Sequence, residues 1–289
     1  LLERRNTRPR PHRDEKIIAS WNGLMISAFA RAAQILNEPR YAQAATRALE
    51  FVENELWDSG TQKLRRHYKD GAAEVSGFAD DYAALARAAL DVFETTFQTH
   101  SLDFAEALLG SLHHNFWDEN GGGYFASQND PHVLLRLKDD YDGAEPSANS
   151  LAAEALLRLS RLLENDEYRR RAEAIFTAFG ERLIQAPSSM PALLAASFWA
   201  QTPPIHIVIV GEENSEATSS MLRAVHEIFI PFKTVLQLNK NNRDYFEKHL
   251  PFTAAMSTQN DSATAYVCQN FTCGQPVTDA DALRAALRG

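Results

Sequence analysis

Three stretches gather acids, amides and aromatic rings at points where helices begin: HRDEKIIASWNG (12–23), GFADDYA (77–83) and KDDYDGAEPSANS (138–150). Two carboxylates held a few ångströms apart can act as general acid and general base, which is the work that sugar chemistry requires. Asp80, Asp81 and Asp142 are the candidates for that role. His12, Asp14, Trp21, Asn22, Tyr82, Tyr141, Ser147 and Asn149 are the candidates for binding a sugar or polyol. The rings of Trp21, Tyr82 and Tyr141 could stack on a sugar, and His12 or His67 could carry a proton. Helix N-termini favour such a gathering, because their exposed N–H groups and dipole attract negative charge. The same residues also serve as plain caps: Ser147 or Asn149 fits an N-cap, Pro146 a helix entry, and Asp80 and Asp81 a first turn.

Other chemistries find less support. No HExxH or comparable ligand spacing occurs, so no metal and no cofactor is expected. The GGG at 121–123 lacks the strand–loop–helix setting of a phosphate loop and reads as a turn. VGEEN (210–214) offers one glycine and two acids, a poor phosphate cradle. No G-x-S-x-G nucleophile elbow is present. The net charge of −9 argues against broad binding to nucleic acid or anionic membrane. No apolar run approaches the roughly 20 residues that cross a bilayer. The start, LLERRNTRPR, has no apolar core of a signal peptide and no initiator Met, so the chain is expected to begin partway through a longer protein. Cys268 and Cys273 make no disulfide framework; two reduced thiols in a tight turn, in a cytoplasmic protein, are the expectation, with a local disulfide as the alternative.

The elements that position these residues come as a weak repeat of paired helices, about 60 residues long. Helices are expected at 21–36 and 40–57, at 79–95 and 101–117, then over SANSLAAEALLRLSRLL and DEYRRRAEAIFTAFGERLI, with a last one near 189–200. The first of each pair is rich in Ala and suits close inner packing, while the second is longer and charged. A hairpin is expected to turn at Lys69-Asp70-Gly71, and VLLRLK (133–138) is expected to be a strand. Alternating inner and outer helices at this period predict a mainly α fold, a partial (α/α)6 toroid with about three and a half of its six hairpins. After Pro203-Pro204 the texture changes, and a small α/β region is expected over 204–289, behind a helical domain at 1–203. Its parts are a buried parallel strand (IHIVIVG), a helix (SEATSSMLRAVHEIF), two further strands (KTVLQLN, TAYVCQN) and a closing helix (TDADALRAALR).

RPRPHRDEK, SWNGLMISAFARAA, GFADDYAALARAAL, RLKDDYDGAEPSANSLAAEALLRL and AYVCQNFTCGQPVTD resemble the C-terminal half of the spermatogenesis-associated protein 20 family and its bacterial thioredoxin-domain-containing relatives. The resemblance covers residues 4–200 and 264–279. It implies a toroid similar to N-acylglucosamine 2-epimerases and six-hairpin glycosidases, hence a carbohydrate-active enzyme as one expectation. It also implies a thioredoxin-like domain upstream, or a second chain, as a partner that completes the toroid. An epimerase of that class would use a pair of histidines at inner-helix starts, and none stands there. Asp14-Glu15-Lys16 departs from the family pattern of two aspartates before the lysine. The opposing expectation is a non-catalytic helical scaffold that binds a partner.

Overall fold

The computed structural model describes residues 1–213, 215–269 and 272–288. A short helix, α1 (Leu2–Asn6), precedes strand β1 (Ile17–Ile18) and the first helical pair, α2 (Ala19–Leu36) and α3 (Pro39–Glu55). Strands β2 (Trp57–Asp58), β3 (Lys63–Leu64) and β4 (His67–Tyr68) lead to the second pair, α4 (Ala79–Thr96) and α5 (Thr99–Phe116). The third pair is α6 (Ala148–Leu162) and α7 (Asp166–Gln185), followed by α8 (Pro191–Gln201).

Helices α2, α4, α6 and α8 lie side by side in sequence order, and α3, α5 and α7 each pack behind the inner helix that precedes them. The chain is therefore a partial α/α toroid. The small residues of the inner helices set how closely they approach. A Cβ on Gly23 of α2 would come within 2.8 Å of the Ala84 backbone in α4, so this crossing admits no side chain. Nearly all of α4 is buried, including Ala79, Ala83, Leu85, Ala86, Ala89, Leu90 and Phe93.

Charge also ties the inner helices together. Arg158 of α6 is only 1% exposed. Its guanidinium stands 2.8 Å from Asp91 and 3.0 Å from Glu94, both on α4. Asp91 also receives Ser27 and Arg31 of α2. Burial alone would raise the Asp91 carboxyl, but Arg158, Arg31 and Arg87 together pull it down to about 2.

The repeated Trp-Asp steps have one structural use. Trp57 pairs with Leu64, and Trp117 bridges to Tyr124, so each opens a tight return after its outer helix or pair. Asp58 and Asp118 then accept backbone N–H groups two residues on, from Gly60 (2.9 Å) and Asn120 (3.0 Å). The expected turn at Asp70-Gly71 forms, with positive φ at both residues. The GGG segment is a turn as expected: Gly122 and Gly123 take left-handed φ values of 67° and 76° and press against α7. VLLRLK is not a strand. It runs irregularly on the surface with Leu134, Leu135 and Leu137 exposed, and its backbone pairs with no strand among the described residues.

The C-terminal part holds strand β5 (Ile205–Val210), helix α9 (Glu216–His226), strand β6 (Lys233–Leu238), helix α10 (Arg243–His249), strands β7 (Thr264–Gln269) and β8 (Thr272–Cys273), and helix α11 (Ala280–Arg288). The sheet order is β6-β5-β7-β8, with β5 parallel to β6 and antiparallel to β7. The IHIVIVG run is thus the sheet's parallel-paired inner strand, and buried on both faces over Ile207–Val210. Val208, Val210, Leu236, Leu238 and Phe246 belong to the same apolar cluster as the inner helices, so the core is continuous from the toroid into the sheet. Ile207, Ile209, Met221, Val225 and Leu283 form a second core on the sheet's other face.

The two cysteines correct the expectation of reduced thiols. Cys268 and Cys273 are directly opposite in the β7–β8 pairing and are joined by a disulfide. Adjacent strands bring the two side chains together, a proximity that the spacing of five does not reveal. The expected turn between them, at 270–271, and residue 214 of VGEEN lie outside the described residues. No helix among the described residues is long and apolar enough to cross a membrane.

Candidate functional site

The inner-helix starts converge at one end of the partial ring, but they do not deliver the expected residues alike. Asp80 and Asp81 are neighbours with opposite surroundings. Asp81, the third residue of α4, is fully buried and folds back on its own helix start, accepting from the Phe78 amide at 2.9 Å. It also accepts from the Ser20 amide at 2.9 Å, joining the first turn of α2 to that of α4. Burial and the adjacent Asp80 carboxylate lift Asp81 to about 6, against the pull of Arg66 and the Phe78 amide. Asp80, one residue earlier, points outward with its side chain 31% exposed. Arg66, from the loop between β3 and β4, donates to both Asp80 oxygens at 2.9 and 2.8 Å and to Asp81 at 2.7 Å.

Several expected site residues are engaged in caps or buried contacts of the framework. Asp142 accepts from the amides of Ser147 (2.8 Å), Ala192 (2.9 Å) and Leu193 (3.4 Å), so its carboxylate caps α8 and braces the entry to α6. Asn149 is 1% exposed and clamps one buried backbone unit, accepting from Tyr124 N–H at 2.7 Å and donating to Tyr124 C=O at 2.9 Å. Ser147 is the N-cap of α6, accepting from Ser150 N–H. Tyr82 is fully buried; its hydroxyl accepts from the Leu64 amide and its ring packs against Phe116 and Trp57. It cannot stack on a ligand. Asn22 donates to Ile18 C=O within α2. His12 and Asp14 lie on the exposed N-terminal arm, where Asp14 pairs with Lys16 at 3.1 Å, and neither lines the cleft described next.

What remains is an open cleft of about 590 Å³, walled by Asp80, Asp139, Asp140, Tyr141, Glu145 and Ser147. Trp21 stands beside the cleft rather than in its wall, donating its indole N–H to the wall residue Glu145 at 2.7 Å. Trp21 and Tyr141 are 55% and 61% exposed, so two aromatic faces meet solvent beside the four carboxylates of Asp80, Asp139, Asp140 and Glu145. Partial desolvation, with Asp80 and Asp140 nearby, raises the Asp139 carboxyl above the ordinary range. Asp140 is engaged with Arg182 at 3.4 Å. Asp80 and Asp139 thus have unlike surroundings: one is held by a guanidinium, and the other is partly desolvated beside two further acids.

Asp139, Glu145 and Arg66 are the residues that sequence reasoning passed over. Residues 139–145 have no regular secondary structure, so no period tells which of the DDYD acids faces the cleft. Arg66 lies 14 residues before Asp80, on a hairpin whose pairing with Ile17–Ile18 is non-local.

No model of a known family matches the chain. Spermatogenesis-associated protein 20 of Homo sapiens is 35% identical over 297 residues, which cover 99% of this chain and 38% of that protein. The chain thus spans well under half the length of its curated relative and corresponds to the C-terminal part. Among solved structures, cellobiose 2-epimerase from Bacillus thermoamylovorans aligns with a TM-score of 0.52 at 15% identity, covering 91% of this chain and 67% of that one. The α-mannanase BT2949 of Bacteroides thetaiotaomicron aligns with a TM-score of 0.50 at 13% identity, covering 75% and 58%. These two likenesses concern the fold, an α/α toroid of the kind that carbohydrate-active enzymes use.

Proposed function

We propose that this homologue of the C-terminal part of spermatogenesis-associated protein 20 binds a sugar or polyol in the Asp80–Asp139 cleft and acts on it by acid/base chemistry. The observation that carries the reading is the gathering of several carboxylates with the exposed ring of Tyr141 in one cleft at the inner-helix starts, with the exposed ring of Trp21 held beside it by Glu145. Asp139, which lines the cleft without a basic partner, serves as the proton donor, and Asp80, paired with Arg66, as the second carboxylate of the pair. Trp21 and Tyr141 hold the ring by stacking, and Glu145 fixes the Trp21 indole. The fold shared with a cellobiose 2-epimerase and an α-mannanase supports the carbohydrate class.

Calorimetric titration with mannose, glucose, cellobiose and mannobiose, followed by NMR assay of epimerisation and hydrolysis, tests this. Binding should weaken on Trp21→Ala, while Asp80→Asn and Asp139→Asn should remove turnover and leave binding largely in place. Absence of saccharide binding, or binding indifferent to Trp21→Ala, refutes the reading.

A second reading, a non-catalytic scaffold, is favoured by the free side of α2, where Met25, Ile35 and Leu36 are exposed. On that reading the partner is a thioredoxin-like domain or a second chain that completes the ring. Saccharide binding without turnover, together with capture of such a helical partner, would select it.

A further inference from the structure

A second cavity, of about 530 Å³, lies toward the opposite ends of the inner helices. Its floor is made by Arg31, Arg87 and Arg158 with Asp91, Glu94 and Glu154, and its roof by the segment that joins α9 to β6. The floor is internally paired: Arg31 and Arg87 each stand 3.2 Å from Glu154, and Arg158 holds Asp91 and Glu94. Lys233 adds a fourth cation, and the Glu227 carboxylate at the rim is taken by Arg284 at 2.8 Å. The three floor guanidiniums and Lys233 therefore face three carboxylates.

The hydrogen-bond accounting is one-sided. Nε and Nη1 of Arg158, Nε of Arg87 and Nε1 of Trp199 are buried and donate no aligned hydrogen bond among the described residues, although Arg87 Nε stands 3.2 Å from a Glu154 oxygen. The Nη1 of Arg158 is close to Asp91 Oδ1 but is not aligned to donate to it. Arg158 is 1% and Trp199 8% exposed, and both line the cavity. All four orphan atoms are donors, and buried donors without acceptors are costly. Oxygen atoms brought by a ligand would satisfy them. The remaining wall is apolar: Trp199 packs on Phe232 with ring centroids 5.5 Å apart, and Ile230, Pro231 and Val235 continue it.

We propose that this cavity binds a small organic oxyanion, its phosphate or carboxylate on the guanidinium floor and its apolar body against Trp199 and Phe232. Arginine's planar fork suits either head group, and the surplus cation supplies the net attraction. The site is separate from the Asp80–Asp139 cleft and does not depend on the function assigned there.

Isothermal titration of the full chain with phenyl phosphate, benzoate and benzyl alcohol tests the proposal. Either anion should bind, and the neutral alcohol at least about tenfold more weakly, the loss expected for charge-assisted hydrogen bonds. Phenyl phosphate alone, benzoate alone or both would identify the head group. Lys233→Gln and Trp199→Phe should each weaken the anion by about fivefold or more. These variants spare the buried Arg158, and melting curves check that they fold. Failure of both anions to bind, equal binding of benzyl alcohol, or affinity unchanged in both variants would overturn it.

Discussion

Replacing Asn149 with Ala separates a structural amide from a ligand-binding one. In the wild type its side chain meets both polar groups of the Tyr124 peptide, at 2.7 and 2.9 Å, in a place almost sealed from water. Truncation leaves a buried N–H and a buried C=O unpaired, and each such group costs about 1–3 kcal/mol. A void beside Gly123 adds a smaller penalty, since a Cβ there would already lie 3.1 Å from the Asn149 oxygen. The sum, about 3–4 kcal/mol, corresponds to a fall in Tm of roughly 6–16 °C for a chain of this size. Urea unfolding followed by far-UV circular dichroism measures it, and saccharide titration runs on the same sample. Loss of stability with saccharide affinity unchanged is the expected pair. A stability change under about 0.5 kcal/mol with affinity lost would refute the reasoning and return Asn149 to the site.

Two further outcomes follow from buried charge. Arg158→Leu alone strands Asp91 and Glu94 and should cost about 3–5 kcal/mol, whereas the Asp91→Leu/Arg158→Leu double variant should recover a large part of that loss; urea midpoints for the cycle check it, and additive losses would show the pair uncoupled. Asp81 is raised to about 6 in the folded chain against 3.8 unfolded, so the native state holds the extra proton between these values. Stability conferred by that proton is complete below pH 4 and is lost as pH rises through 6, by about 3 kcal/mol at most. Asp81→Asn should flatten the pH 4–6 limb of the stability profile, and a limb that persists in the variant would assign it to another group.

The periodic part of the fold was legible because the physics is local. Ala-rich inner helices and charged outer ones alternate at a fixed period, and the helix bounds agree with the pattern within about two residues. The β-branched run at 205–210 likewise marked a strand buried on both faces. Legibility failed where the answer depends on a distant partner. VLLRLK has a strand's composition but no edge to pair with. Cys268 and Cys273 meet only because β8 folds back on β7. Arg66 reaches Asp80 because the hairpin folds 64–66 back on 75–77, a pairing whose register the composition does not reveal.

The site divided along a finer line, and part of that line can be read in retrospect. In α4 the first helical residue is Ala79, which makes Asp81 the third, the position whose side chain turns back to the helix start. Asp80, the second, is rotated by about 100° and faces outward. Adjacent acids at a helix start therefore take different duties by geometry alone, one capping and one presented. The loop acids obey no such rule: Asp142 reaches the start of α8, fifty residues on, while Asp139 stays at the cleft. A cluster of acids at a helix entrance thus carries two kinds of residue, and only those left without backbone partners are available to a substrate. In KDDYDGAEPSANS those are Asp139, Asp140 and Glu145; Asp140 is paired with Arg182 and Glu145 with the Trp21 indole, so the assignment of chemistry to this chain rests on Asp139 with Asp80.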